Sequence, residues 1–374
     1  MASNGPIRVL VVDDSAVARS VLKTALGEAS GMEVVGAAHN GRQGLEMVES
    51  EKPDAVVLDV EMPEMTGIEF LDHLSPRQRQ NLVVIVFSST SKKNAEVTME
   101  CLSRGAQEFI TKPDPTRTGM REPLEETVTE LVRTVRALVR SKKGKGGHPP
   151  PERESHTPPP EPPGKPPPSG GGIPSAFQPD LIVIGGSTGG PQTLHTILGR
   201  IAGDGPPQVP ILLVQHMAQG FTGPFAERLG ARGPFSWREA RDGEKVPVGT
   251  GLVAPGNYHM RLTRYTNRLT VNLDRGPRIN SCRPAVDPLF VSAAELPGTR
   301  VLGIVLTGMG QDGLEGARSI RDAGGEVVVQ DEESSAVWGM PGSVARAGLH
   351  SATMNLGDLS DLLTRFLYQG AKSG

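Results

Sequence analysis

From Ser141 to Ser175 the chain reads SKKGKGGHPPPERESHTPPPEPPGKPPPSGGGIPS, more than half proline and glycine with almost no large apolar side chain. Such a segment cannot bury enough apolar surface to offset the entropy of ordering it, so it forms no packed core. It divides the 374 residues into two parts, each long enough for an ordinary domain. The expected organisation is an amino-terminal domain over residues 6–140, a linker over 141–175 and a carboxy-terminal domain over 176–374. The linker should be stiff in its proline runs and loose in its glycine runs.

Both parts alternate short apolar runs with amphipathic stretches. In the first, IRVLVV, EVVGAA, DAVVLDV, LVVIVFS and QEFIT read as buried strands. In the second, LIVIG, VPILLVQ, VLGIVLTG and EVVVQ do the same, with helical patterns opening near Gly190, Gly223 and Gly313. This rhythm predicts parallel sheets covered by helices on both faces. Between Phe235 and Leu273 the runs GLVAPG, HMRLT and LTVNL are shorter and alternate, which predicts an antiparallel edge or hairpin insertion. The fold class is thus α/β: two doubly wound domains, the first flavodoxin-like, the second Rossmann-like with a short hairpin.

Composition removes several classes of function. A formal charge of −3 leaves no basic footprint for nucleic acid or anionic lipid. With only Cys101 and Cys282, no disulfide framework is available and a reducing compartment is expected. No apolar stretch approaches the roughly 20 residues a membrane helix needs, and MASNGPIRVL lacks the basic and apolar regions of a signal peptide. A cytoplasmic protein without membrane insertion is expected.

In the first domain three acids fall at strand ends: Asp13 and Asp14 after IRVLVV, and Asp59 after AVVL. The carboxyl ends of strands form the ligand crevice of an open parallel sheet. Three carboxylates there repel one another unless a cation neutralises them, and oxygen ligands suit Mg²⁺. The cation would let Asp59 attack a phosphoryl donor, with Ser88 and Lys112 contacting the phosphoryl oxygens. The order Asp13-Asp14, Asp59, Ser88, Lys112-Pro113 resembles the receiver domains of two-component response regulators. That resemblance implies Asp59 as phosphoacceptor and Asp14 and Asp59 as Mg²⁺ ligands with Asp13 assisting. It further implies a backbone carbonyl from Glu61 and a switch aromatic at Phe109.

In the second domain LIVIGGSTGGPQTL puts Gly185, Ser187 and Gly189 in a G-x-S-x-G pattern between a strand and a helix, the context of a nucleophile elbow. Phosphate sites use similar turns. The dinucleotide fingerprint fails, however, because Ser187 or Thr188 occupies its second glycine. His216 closes the strand PILLVQ, and Asp312 follows VLGIVLTG in TGMGQDG, where it could equally cap a helix. His39, His73, His148, His156, His195, His259 and His350 gain no role from their positions. Ser187, His216 and Asp312 together supply nucleophile, general base and orienting carboxylate from three strand ends. Backbone N–H groups of Thr188 and Met309 are placed to form an oxyanion hole. The order Ser, His, Asp differs from the Ser, acid, His order of α/β-hydrolases, so a different fold with convergent geometry is expected.

The motifs GGSTGG, QHM-x-x-GFT-x-x-FAERL, VAPGNYHM, RPAVDPLF, LTGMGQDG and WGMP resemble the protein-glutamate methylesterases of bacterial chemotaxis, the CheB family. The resemblance implies a phosphorylation-activated serine hydrolase that removes methyl esters from glutamates of methyl-accepting chemoreceptors. Some such enzymes also deamidate receptor glutamines. It implies a chemotaxis-type histidine kinase as phosphodonor and no cofactor for the ester step. A non-catalytic scaffold and a nucleotide-binding turn at GGSTGG are the alternatives. The long proline-rich linker departs from the family pattern.

Overall fold

The computed structural model describes residues 5–89, 91–113, 121–144, 172–203, 206–265 and 268–369. Most of the expected linker lies outside the described residues.

The amino-terminal part runs β1 (Ile7–Val12), α1 (Ala16–Glu28), β2 (Met32–Ala38), α2 (Gly41–Glu51), β3 (Ala55–Leu58), α3 (Gly67–His73), α4 (Pro76–Asn81), β4 (Val83–Ser88), α5 (Lys92–Ser103), β5 (Glu108–Thr111) and α6 (Arg121–Gly144). Its five strands pair in parallel in the order β2-β1-β3-β4-β5. Strands β3 and β4 are buried along their whole length, as their unbroken aliphatic runs require. Helix starts follow side-chain chemistry: Ser15, Asn40, Thr66, Ser75 and Ser91 each accept a hydrogen bond from the first turn they precede. Helix α6 continues to Gly144, four residues past the expected linker boundary.

The carboxy-terminal part runs β6 (Leu181–Gly186), α7 (Gly190–Leu198), β7 (Ile211–Gln215), α8 (Thr222–Arg232), β8 (Ser236–Glu239), β9 (Thr250–Val253), β10 (His259–Tyr265), β11 (Arg268–Asp274), α9 (Val286–Ala294), β12 (Val301–Val305), α10 (Leu314–Asp322), β13 (Glu326–Gln330), α11 (Met340–Arg346), β14 (Ala352–Met354) and α12 (Leu356–Thr364), closing in a π-helical turn, Arg365–Gln369. The main sheet has the order β14-β13-β12-β6-β7-β9-β8 and is parallel throughout.

Strands β10 and β11 form the expected antiparallel hairpin. The run GLVAPG does not belong to it: β9 pairs in parallel with β7, through Leu212 with Leu252 and Leu213 with Val253. Gly251, Leu252 and Val253 are buried, so this short run is interior sheet rather than an edge.

Candidate active site

The order β12-β6-β7 sets three parallel strand ends side by side, and successive strands are added in opposite directions across the sheet on either side of the β6–β12 pair. Crevices at such switch points hold ligands in open α/β sheets. Ser187 leaves β6 in a tight turn: its N–H donates to the Thr307 carbonyl at 3.0 Å, and its own carbonyl accepts from Gly190 N–H at 2.7 Å. Gly189 enters α7 with φ +78°, a conformation that suits glycine. At Gly308 an added Cβ would stand 2.7 Å from the Ser187 Cβ and 2.3 Å from the Met340 sulfur. Only a glycine lets the segment after β12 lie against the serine.

His216 follows β7 and Asp312 follows β12. Ser187 Oγ lies 3.1 Å from His216 Nδ1, and His216 Nε2 lies 2.6 Å from Asp312 Oδ2. With Nε2 donating to the carboxylate, Nδ1 is free to take the hydroxyl proton. Asp312 is buried and also accepts from the N–H groups of Val286 at 2.7 Å, Asp287 at 3.2 Å and Gly313 at 3.1 Å. Burial alone would raise its pKa, but the His216 contact and these N–H groups hold it below the ordinary carboxylate value. Burial likewise opposes charge on His216, yet the hydrogen bond to Asp312, with Cys282 beside it, raises its pKa to about 10.

Thr188 directly follows Ser187 and is buried, and Met309 directly follows Gly308. The two segments are tied together, since Thr307 Oγ1 donates to the Thr188 carbonyl at 3.0 Å.

Four further residues of the site escape the sequence reading. Cys282 Sγ lies 3.3 Å from His216 Nδ1, the nitrogen that also faces Ser187. Asn280 Nδ2 lies 3.2 Å from both Asp312 Oδ1 and Asp287 Oδ2. Asp287 also accepts from Gly316 N–H at 2.8 Å, capping α10, whose own N-cap is Gly313 and carries no side-chain acceptor. Burial, then the charge of Asp312, raises the Asp287 pKa to about 7. His259, to which the sequence assigns no role, is fully buried, with Nε2 2.8 Å from the Pro277 carbonyl and Nδ1 accepting from Ala285 N–H at 3.3 Å. It therefore closes the loop that carries Asn280 and Cys282. The motifs VAPGNYHM and RPAVDPLF hold His259 and Asp287, but nothing in either motif says what those side chains touch.

In the amino-terminal part, Asp13, Asp14 and Asp59 each bring an oxygen within 4.8 Å of the others. Lys112 Nζ lies 2.6 Å from Asp59 Oδ2 and 2.8 Å from Asp13 Oδ2, so its ammonium supplies positive charge here. Burial raises the Asp59 pKa although Lys112 acts to lower it. Ser88 is buried at the end of β4. The Glu61 carboxylate pairs with Lys93 at 2.6 Å.

The two parts meet close to Ser187. Phe109 stacks on Phe221 with ring centroids 4.6 Å apart. Glu108 Oε2 accepts from Gly189 N–H at 3.1 Å. Arg228 on α8 pairs with Glu100 on α5 at 2.7 Å and bonds to Ser103. Ala336 and Val337 pack against a core that otherwise belongs to the first sheet.

Comparison with known proteins decides the family. A model described as CheB methylesterase matches residues 182–363, and one described as response regulator receiver domain matches residues 9–120. Over 359 residues the chain is 38% identical to the protein-glutamate methylesterase/protein-glutamine glutaminase of Trichodesmium erythraeum (strain IMS101), covering 96% of this chain and 98% of that protein. The chain belongs to the CheB methylesterase family. Another CheB relative, protein-glutamate methylesterase/protein-glutamine glutaminase 1 of Rhodospirillum rubrum, is 40% identical over 370 residues, covering 96% of this chain and 95% of that one. Among solved structures, the CheB methylesterase catalytic domain of Thermotoga maritima aligns with 51% of this chain and all of its own, at 36% identity and a TM-score of 0.48. The CheB response regulator domain of that organism aligns with 36% of this chain and 97% of its own, at 36% identity and a TM-score of 0.31. Among the described residues no helix is long and apolar enough to cross a membrane.

Proposed function

We propose that this chain is a phosphorylation-activated protein-glutamate methylesterase that acts in the cytoplasm on methyl-accepting chemoreceptors. The observation that carries the reading is the continuous chain from Ser187 Oγ through His216 to Asp312. Ser187 gives its proton to His216 Nδ1 and attacks the ester carbonyl of a glutamate methyl ester. The backbone N–H groups of Thr188 and Met309 receive the negative charge on the oxygen. His216 then returns the proton to the departing methoxide, and methanol leaves. A water molecule, deprotonated by the same imidazole, hydrolyses the acyl-enzyme to free glutamate. Asp312 holds the imidazole and stabilises its cation throughout. The same route applied to a side-chain amide releases ammonia, which is glutamine deamidation.

Control comes from the receiver, taken as residues 6–140, joined through 141–175 to the esterase domain over 176–374. A chemotaxis-type histidine kinase is the phosphodonor and Asp59 the acceptor. The cluster of Asp13, Asp14 and Asp59 suits Mg²⁺, with the Glu61 carbonyl completing its oxygen donors. Bound there, Mg²⁺ screens charge between Asp59 and the phosphoryl donor. Ser88 and Lys112 hold the phosphoryl oxygens, which draws Lys112 away from its present carboxylate partners. The contacts of Phe109, Glu108 and α5 with the esterase domain lie next to Gly189 and α8, so the docked receiver covers the approach to Ser187. Phosphorylation favours the undocked arrangement.

The test compares methanol release from methylated receptor fragments by the full chain, with and without a small phosphodonor, and by a fragment starting at Ala176. The fragment and the phosphorylated chain should be fast and the unphosphorylated chain slow. Equal rates in all three would reject autoinhibition.

A further inference from the structure

Within the loop from Pro277 to Ala285, Ile279 and Cys282 exchange backbone hydrogen bonds at 3.1 and 2.9 Å, enclosing a two-residue turn at Asn280 and Ser281. Both turn residues are left-handed, with φ of +51° and +63°. That is the pattern of a type I′ turn, in which asparagine is at ease and serine is strained. The turn points two side chains inward: the Asn280 amide at Asp312 and the Cys282 thiol at His216. His259 closes the loop from beneath, bonding to Pro277 at one end and Ala285 at the other.

Asp312 and Asp287 form a pair of buried carboxylates that repel one another. Asp312 must stay ionised and fixed if it is to orient His216. Its Oδ1 meets the N–H groups of Asp287 and Gly313, and its Oδ2 meets Val286 N–H and His216. The remaining donor reaching both acids is Asn280 Nδ2, at 3.2 Å from each. An amide nitrogen carries two hydrogens, so one group can serve both carboxylates without adding charge.

We propose that Asn280 is a positioning residue of the esterase, its amide bridging Asp287 and Asp312 so that the triad carboxylate keeps the orientation His216 requires. It acts through Asp312 and touches no substrate. This rests on the esterase reading, so the controls separate the two. Glycine at 280 preserves the turn, since it favours positive φ, and removes only the amide. Aspartate preserves the size of the side chain but sets a third carboxylate against the other two.

The experiment measures kcat, KM and thermal midpoint of the phosphodonor-treated full chain on a methylated receptor fragment, for wild type, Asn280→Gly, Asn280→Asp, Ser281→Gly and Ser187→Ala. Asn280→Gly should melt with the wild type and keep its KM while kcat falls about tenfold or more. Asn280→Asp should fall at least as far. Ser281→Gly, which changes the turn but not the amide, should keep wild-type kcat. A kcat for Asn280→Gly within about twofold of wild type would overturn the proposal, as would an equal loss in Ser281→Gly. If Ser187→Ala keeps activity, it is the underlying esterase reading that fails.

Discussion

The Glu108 carboxylate at the start of receiver strand β5 accepts a hydrogen bond from the backbone N–H of Gly189, two residues beyond Ser187, at 3.1 Å. A titratable group of the receiver thus rests on the turn that carries Ser187, the proposed nucleophile. Burial raises its pKa to about 7, although the N–H groups of Phe109 and Gly189 act to lower it. A glutamate in water ionises near 4.5. The docked form therefore favours the protonated carboxyl, and docking weakens as pH rises from about 4.5 to about 7. Glu108→Gln removes the cost of the buried charge and keeps an acceptor for Gly189. Its unstimulated esterase rate at neutral pH should fall below that of wild type, and a rate above wild type would contradict this account.

Arg228 is the clearest charged link between the two halves, pairing with Glu100 at side-chain exposures of 29% and 32%. Ion pairs this open contribute about 1 kcal/mol or less. Arg228→Ala should raise the unstimulated rate by up to about fivefold and leave the phosphodonor-stimulated rate unchanged. No change in the unstimulated rate would show that docking does not depend on this contact.

Asp59→Asn removes the proposed phosphoacceptor and keeps its size. Treatment with a small phosphodonor and Mg²⁺ should then leave the esterase rate at its unstimulated level, while wild type accelerates. Acceleration of the variant would place the acceptor elsewhere.

The pH dependence of the esterase follows from His216. The imidazole acts as base only when neutral, and its contact with Asp312 raises its pKa from the usual 6.5 to about 10. Its neutral fraction grows as pH rises, so kcat/KM should climb with pH through a midpoint above 6.5. In Asp312→Asn the midpoint should move down while the rate at every pH drops. A midpoint at or below that of free histidine in the wild type would contradict the hydrogen-bonded arrangement.

Much of the fold and of the candidate site is legible in the sequence. Aliphatic runs such as VVIVFS and LIVIG mark strands because buried parallel strands need apolar side chains on both faces. Ser187, His216 and Asp312 could be chosen because each follows such a run, and parallel strands bring their ends to one edge. GLVAPG was misplaced because a four-residue buried strand carries no periodicity of its own. His259, Asn280 and Asp287 were illegible for another reason. Their partners lie 7 to 32 residues away in loops and helix starts, and no local pattern records those contacts. The Asn280-Ser281 turn was equally hidden, because it lacks the glycine that usually announces positive φ.

Ser187 is proposed as the nucleophile of a receptor methylesterase. Methanol release from a methylated receptor cytoplasmic fragment, measured for wild type and Ser187→Ala with phosphodonor present, tests it most directly. The wild type should release methanol in step with ester loss, and the variant should be slower by several orders of magnitude with an unchanged thermal midpoint. Release by the folded variant at a rate near that of the wild type would contradict the account.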